Sequence, residues 1–337
     1  MNTTPEWLTL DRIILFILIV FLFVPVLVLL VPTPANLYEQ MAANRRKSVA
    51  LCAFFILLIL ALGFVFGEVA PEARAFILPL AVLISIVGPT VSYYNSDKII
   101  LKMSKARPAT REENLFLQNT VEGLAIAAGV PPPKIFVIED TAPNAFATGR
   151  NPEHGVIAVT TGLLAKLDRR ELEAVLAHEM SHIKNYDILL GSLAVVLVGV
   201  VALLSDWMLR SMRFGRYQRR RSAPSRRAGG QGGAIIIIIA LLLALMAPVA
   251  AQLLRLAVSR KRELLADANG AFLTRYPEGL VNALKKLYDD PEPLEVANKS
   301  TAHLYIVNPL REYGGFLNHF FSTHPPIEER IAALQRM

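Results

Sequence analysis

The stretch LAHEMSHIKNYD, residues 176–187, holds His178, Glu179 and His182 in the spacing H-E-x-x-H. The spacing has chemical meaning only on a helix. Residues four apart then share a face, so two imidazoles can reach one ion, with the intervening glutamate beside them. Otherwise it is a charged helix surface that fits the pattern by accident. The residues upstream favour the helix. Asp168 and Glu171 form a D-x-x-E start signal, and Leu172, Val175, Leu176, Glu179 and Ile183 recur at helical spacing. The spacing predicts a helix over 169–185 with the motif inside it.

Two histidines do not complete a catalytic zinc site, which takes three protein ligands and a water. Cys52 is the sole cysteine and lies in an apolar run, so an intramolecular disulfide and a multi-cysteine site are both excluded. The ligands must be histidine and carboxylate. In SRKRELLADANG, residues 259–270, Glu263 and Asp267 stand four apart on one helical face. Glu263 is the candidate third ligand. Its alternative is a surface charge pair with neighbouring Lys or Arg. Asp267 would orient an imidazole from behind. Asn185 and Asp187 either do the same or act as capping or interfacial residues. The apolar runs that flank the two segments read as a hairpin, with both polar ends on one side. If the helices continue, His182 and Glu263 stand roughly 8–13 Å from their membrane ends, at ~1.5 Å per residue. In this reading zinc lowers the pKa of its water, and Glu179 takes the proton and passes it to a leaving amine.

The wider composition puts this site at a membrane. The chain has 337 residues, 53% of them hydrophobic, and a mean hydropathy of +0.42. The apolar residues come in runs at about 13–31, 50–67, 74–94, 188–208 and 234–257, each long enough to span a bilayer as a helix. The first run is too long for a cleaved signal peptide, and Arg12 is the one cationic side chain before it. Net charge is +7, and eight arginines with no acid fall in LRSMRFGRYQRRRSAPSRRAGGQGG, residues 209–233. That segment reads as a disordered loop, either touching anionic lipid head groups or simply solvated. With few aromatics and a membrane on each side, it does not read as a nucleic-acid site.

Four regions follow: N-terminal membrane segments (1–94), a first catalytic part with the H-E-x-x-H helix (95–187), a membrane hairpin with the Arg-rich loop (188–257), and a second catalytic part with the third ligand (258–337). Neither polar part holds a full site, so the two must combine. The expected fold is an α-helical multi-span membrane protein with an α+β catalytic domain at the membrane surface. Within it, 113–130 reads as an amphipathic helix ending near Gly129 and 134–139 as a strand. Residues 144–150 and 155–164 read as extended runs joined by the turn NPEH. LVNALKKLYDD (280–290) reads as a helix, and PPIEERIAALQRM (325–337) as a last helix started by its prolines. Residues 295–320 carry no clear pattern.

The stretches NAFATGR (144–150), VTTGLL (159–164), ELEAVLAHEMSHIKNYD (171–187), SRKRELLADA (259–268) and FSTHPPIEERIAAL (321–334), in this order, resemble the HtpX-type membrane zinc metalloproteases, relatives of the CaaX prenyl-protein peptidases. The resemblance implies a gluzincin-like (zincin) fold binding one Zn2+ per chain, with His178, His182 and Glu263 as ligands and Glu179 as base. It implies removal of unfolded or damaged membrane proteins, with self-cleavage, at a bacterial inner membrane and on its cytoplasmic side. It makes NAFATGR an edge strand to which substrate adds, with Asn144 and Phe146 as contacts. His324 in STHPP stabilises the oxyanion or caps the last helix, and Arg330 pairs with a carboxylate near the site or lies on a solvated face. His154, His303 and His319 read as surface residues. One departure is the run before residue 32, an apparent extra membrane segment. Charge speaks both ways on sidedness. The basic stretches 45–47, 98–111 and 260–262 fit a cytoplasmic face, while the arginines of 209–233 then lie on the opposite one.

Two other functions compete. A prenyl-specific peptidase would be expected to have more than five spans. A zinc-binding adaptor would have a closed four-ligand site and no need of Glu179.

Overall fold

The computed structural model describes residues 37–69, 71–222, 259–297, 301–307, 309 and 325–337. Helices α1 (Leu37–Val69) and α2 (Arg74–Met103) come first, joined by a tight turn at Pro71–Ala73. A two-residue strand, β1 (Arg107–Pro108), leads to α3 (Arg111–Ala128). Thr110 and Glu113 start α3 with a reciprocal capping box, and Gly129 ends it at φ 71°, a left-handed conformation open to glycine. Strands β2 (Lys134–Ile138), β3 (Ala145–Thr148) and β4 (Val156–Thr160) follow, then the short helix α4 (Thr161–Lys166). Helix α5 (Arg169–Lys184) carries the H-E-x-x-H motif. Its start is the capping box read from sequence: Asp168 Oδ1 accepts from the Arg170 and Glu171 amides, and Glu171 Oε2 accepts from the Asp168 amide. Helices α6 (Asp187–Ser222), α7 (Arg260–Thr274), α8 (Pro277–Asp289) and α9 (Ile327–Leu334) complete the described α-helices.

The sheet has the order β1-β2-β4-β3. β2 and β4 run parallel, with Lys134 opposite Val156, and the other pairings are antiparallel. β3 is therefore an edge strand. β4 is buried along its whole length and β3 likewise, because helices pack over the sheet. Leu117, Val121 and Leu124 of α3, Leu172, Val175, Leu176 and Met180 of α5, Ala271 of α7, and Leu280, Val281 and Leu284 of α8 form one apolar core with Val137, Ile157 and Val159. The apolar stripe predicted for the motif helix is what docks it here.

Three boundaries differ from the sequence reading. The extended run expected over 155–164 stops at Thr160, whose Oγ1 accepts the Leu163 amide and so starts a helix instead. The motif helix does not continue into the membrane. Asn185 ends it, Tyr186 turns at φ 60°, and α6 starts afresh at Asp187, so heights measured along continuous helices do not apply. The segment expected to be disordered from 209 is helical as far as Ser222. Ser205 and Asp206 do not interrupt that helix. Ser205 Oγ bonds the Val201 carbonyl at 2.9 Å, and Asp206 pairs with Arg210 one turn on. The runs 13–31 and 234–257 and the arginines beyond Ser222 lie outside the described residues.

The chain divides into two compact units. One draws its described residues from 50–90 and 197–222. In it α1 and α2 cross closely. A Cβ on Gly63 would stand 2.3 Å from that of Ala81, and one on Gly88 2.9 Å from the Phe55 ring, so small residues set the approach, as they do between helices in lipid. Leu83 and Ile86 of α2 are more than half exposed, a face suited to hydrocarbon. Tyr38–Gly67, Arg74–Met103 and Asp187–Asp206 are each long and apolar enough to cross a membrane. The other unit, from 37–49, 91–196 and 259 onward, contains the sheet, its helices and every site residue described below.

Candidate metal centre

Gly270 lets the backbone of α7 approach that of α5, since a Cβ there would lie 3.1 Å from the His178 amide nitrogen. This close crossing sets the first turn of α7 against the motif. His178 and His182 sit one turn apart with their rings at 85° and their Nε2 atoms 3.1 Å apart. Glu263 presents Oε2 3.9 Å from His178 Nε2 and Oε1 3.7 Å from His182 Nε2. The three side chains offer ligand atoms all within 4.8 Å of one another. Zn–N bonds of about 2.0–2.1 Å in a tetrahedron put ligand atoms roughly 3.3 Å apart, so the group fits such an ion after sub-ångström adjustment.

Each histidine has a carboxylate behind it. Asp267 Oδ1 lies 2.9 Å from His178 Nδ1, an ion-pair distance whose angle falls short of a regular hydrogen bond. Asp267 is clamped in turn by Arg330, whose Nε and Nη2 donate to its two oxygens at 2.8 and 2.6 Å, while Nη1 donates to the Ile306 carbonyl at 2.8 Å. Asp187 Oδ2 lies 3.0 Å from His182 Nδ1. Of the two readings left open for residues 185 and 187, Asp187 thus faces the imidazole and Asn185 is the end of the helix. Arg330 is fully buried rather than solvated.

Burial and these partners divide the ionisable groups. Burial pushes the His178 pKa down, which keeps its imidazole neutral and able to ligate. Burial also disfavours charge on His182, but the Asp187 hydrogen bond and the charge of Glu263 outweigh it and raise the pKa to about 9 in the metal-free site, a proton that a ligating cation would displace. Glu179 is 1% exposed. Burial lifts its carboxyl to about 7, against the opposing pull of His182. Among the described residues neither of its oxygens has a hydrogen bond of regular geometry, and the Ala147 backbone bond only partly offsets burial. Asp267 is buried too, yet the charge of Arg330 overcomes burial and holds it at about 2.

The cavity in front of these groups is lined by Ala147 of β3, Ile188 and Gly191 of α6, and the segment His303–Ile306. That segment lies along the outer edge of β3. Phe146 and Tyr305 are antiparallel partners with their rings 5.1 Å apart. The Ile306 amide donates to the Ala145 carbonyl at 3.0 Å, and Asn144 Nδ2 donates to the Val307 carbonyl at 3.0 Å. Asn144 and Phe146 therefore hold the chain's own backbone. The surface reading of His303 is corrected: it is 8% exposed and lines the cavity, because the apolar run Leu304–Val307 packs inward and carries it along. The burst of apolar residues after Ala302 was the available signal. His154 is at the surface, bonded to Asn151 and Arg150. His319 and His324 lie outside the described residues. Sequence reasoning also missed Asn44 and Arg262, both buried beside Asp187.

Residues 111–337 match the family model described as Peptidase family M48. The chain is similar to the Protease HtpX homolog of Dictyoglomus thermophilum, with 46% identity over 310 residues, covering 90% of this chain and 96% of that one. It is similar to the Protease HtpX homolog of Thermoanaerobacter pseudethanolicus, with 43% identity over 302 residues, covering 90% and 98%. Among solved structures, S. mikatae Ste24p matches with a TM-score of 0.47 and 22% identity, over 88% of this chain and 67% of that one.

Proposed function

The chain belongs to peptidase family M48 and is a membrane metalloprotease, and on that footing we propose that it is a zinc endopeptidase acting on misfolded or damaged membrane proteins. His178, His182 and Glu263 would hold one Zn2+. Bound there, zinc supplies Lewis acidity toward the scissile carbonyl and lowers the pKa of water at the site. The remaining steps fall to the chain's own residues. Glu179 takes the proton of the attacking water and delivers it to the leaving nitrogen. Burial raises this carboxyl to about 7 in the metal-free site, and a cation bound beside it would favour the carboxylate, the form a general base requires. Asp267 and Asp187 keep the two imidazoles turned toward the ion. The observation that carries the reading is Glu179 itself, a buried carboxylate with no regular hydrogen bond among the described residues, beside the His–His–Glu group and not part of it.

Substrate would enter as an extended strand on the outer edge of β3, in contact with Asn144 and Phe146. Support comes from what lies there now: Tyr305 pairs antiparallel with Phe146 and the Ile306 amide donates to the Ala145 carbonyl, the kind of edge pairing a peptide substrate would make. We place the catalytic unit on the cytoplasmic side of a bacterial inner membrane, in keeping with the basic residues at 45–47 and 260–262.

The test is cleavage of an unfolded casein-like protein by zinc-loaded, detergent-purified enzyme and its Glu179→Gln variant. Loss of a general base lowers the rate by about 10²–10⁴-fold, and zinc content should be equal in the two proteins. Cleavage by both refutes the role of Glu179. Cleavage by neither, with zinc bound, refutes the broad endopeptidase reading, and turnover of a prenylated peptide would then replace it.

A further inference from the structure

Asp187 is more than a neighbour of His182, because it is itself held. Its Oδ2 faces His182 Nδ1, while Oδ1 accepts from Asn44 Nδ2 at 2.6 Å and from Arg262 Nη1 at 3.3 Å. The same Asn44 amide donates to the Asn185 carbonyl at 2.8 Å, and Arg262 Nη1 also reaches Asn44 Oδ1 at 3.3 Å. Asn44 is fully buried, and Arg262 is 4% exposed. Asn44 comes from the second turn of α1, far from the motif in sequence. Arg262 comes from α7, one residue before Glu263.

The arrangement is a brace. A carboxylate with one oxygen gripped by two donors cannot rotate about its Cβ–Cγ bond, so its other oxygen keeps a fixed direction. That direction sets the rotation of the His182 ring and with it the aim of Nε2 at the metal position. His178 has a parallel brace in Asp267 and Arg330. The two imidazoles are thus fixed from opposite ends of the chain. Helix capping alone accounts for the bond from Asn44 to the Asn185 carbonyl. It does not account for the second bond of the same amide, to the carboxylate that touches a ligand.

We propose that Asn44 and Arg262 are positioning residues for the metal site, acting through Asp187 on His182. The inference rests on the zinc reading of His178, His182 and Glu263. It makes part of α1 a component of the centre, although the M48 match begins at residue 111.

The experiment is chelator-competition measurement of the zinc Kd on full-length protein in detergent, in a Glu179→Gln background that prevents self-digestion. The variants are Asn44→Ala, Arg262→Gln, Arg262→Lys, Asp187→Asn and the double Asn44→Ala/Asp187→Asn. Partners behind a ligating histidine typically contribute about 10–100-fold in metal affinity, so Asn44→Ala and Arg262→Gln should raise Kd by that order. Arg262→Lys, which keeps charge and donor, should recover part of it. The double variant should be no weaker than Asp187→Asn alone. Visible spectra of the cobalt-substituted variants should shift as well, and this readout depends on ligand geometry in the folded molecules alone. A merely structural role would lower the unfolding temperature of the metal-free protein and leave Kd and the cobalt spectrum unchanged, which overturns the proposal. Additive losses in the double variant also overturn it. Failure of the parent protein to bind zinc would refute the metal reading itself, whereas tight binding by parent and Asn44→Ala alike would refute the brace alone.

Discussion

Removing Arg330 is the sharpest perturbation of the centre. Its guanidinium is 1% exposed and makes two charge-assisted bonds to Asp267 and one to the Ile306 carbonyl. Arg330→Met keeps most of the aliphatic volume and deletes the charge. Among the described residues Asp267 is then a buried carboxylate with His178 alone beside it, and breaking a buried pair from one side costs about 3–5 kcal/mol. At roughly 2–4 °C per kcal/mol for a unit of this size, the unfolding temperature should fall by on the order of 10 °C. A second variant separates lost charge pairing from lost packing. Arg330→Met/Asp267→Asn carries neither charge and should recover at least half of the loss, because it leaves no unpaired ion. The assay is thermal unfolding of metal-free protein in one detergent at one scan rate. A single variant within about 1 kcal/mol of the parent, or a double variant that loses the sum of both singles, would refute the claim that this pair holds the site together.

Three further outcomes follow from the same geometry. Asp267 titrates at about 2 instead of 3.8, so its contribution is complete above about pH 4 and is lost as pH falls through 2. This is on the order of 2 kcal/mol, seen as a shallower acid sensitivity of the double Arg330→Met/Asp267→Asn variant in unfolding midpoints between pH 6 and 2.5. Ile306→Pro removes the amide that bonds Ala145 and keeps the carbonyl that Arg330 needs. With one net hydrogen bond worth about 1 kcal/mol, peptide kcat/KM should rise on the order of 5-fold, and a fall would mean that residues 305–307 build the site instead of occupying the substrate's place. Gly162→Ala would place a Cβ 1.8 Å from the Thr141 carbonyl oxygen, a clash that only a backbone shift relieves, so the variant should unfold several degrees lower, in the range of overpacked cores at about 1–3 kcal/mol.

The motif helix was legible because its signals are local. Asp168 and Glu171 cap it within four residues, and its apolar stripe is its own docking face. That Glu263 would stand beside His178 and His182 was legible because two histidines leave a metal site incomplete and few carboxylates had the right company. What escaped the sequence is what depends on distant partners. Asn44 meets Asp187 across 143 positions, and Tyr305 meets Phe146 across a similar gap. No periodicity in either segment marks such a meeting. The strand-to-helix change at Thr160 escaped for another reason. The apolar alternation of VIAVTTGLL runs straight through it, and the boundary lies in one hydroxyl that accepts both the Asn144 and Leu163 amides.

Two buried carboxylates, Asp267 behind His178 and Glu179 next to it in sequence, show why the braces matter to the chemistry. Asp267 and Glu179 are each 1% exposed, and burial alone would push both upward. Arg330 holds one at about 2, a permanent anion that can only orient an imidazole. The other, with no regular hydrogen bond among the described residues, is raised by burial to about 7 in the metal-free site, so it can exchange a proton. A pair of acids separated in this way by their surroundings divides the labour of holding and proton transfer. The division is made by a single guanidinium from the last helix of the chain. An enzyme without it should therefore lose stability, metal affinity and the pH profile of its base together, and a variant that lost one of these while keeping the others would break the link between them.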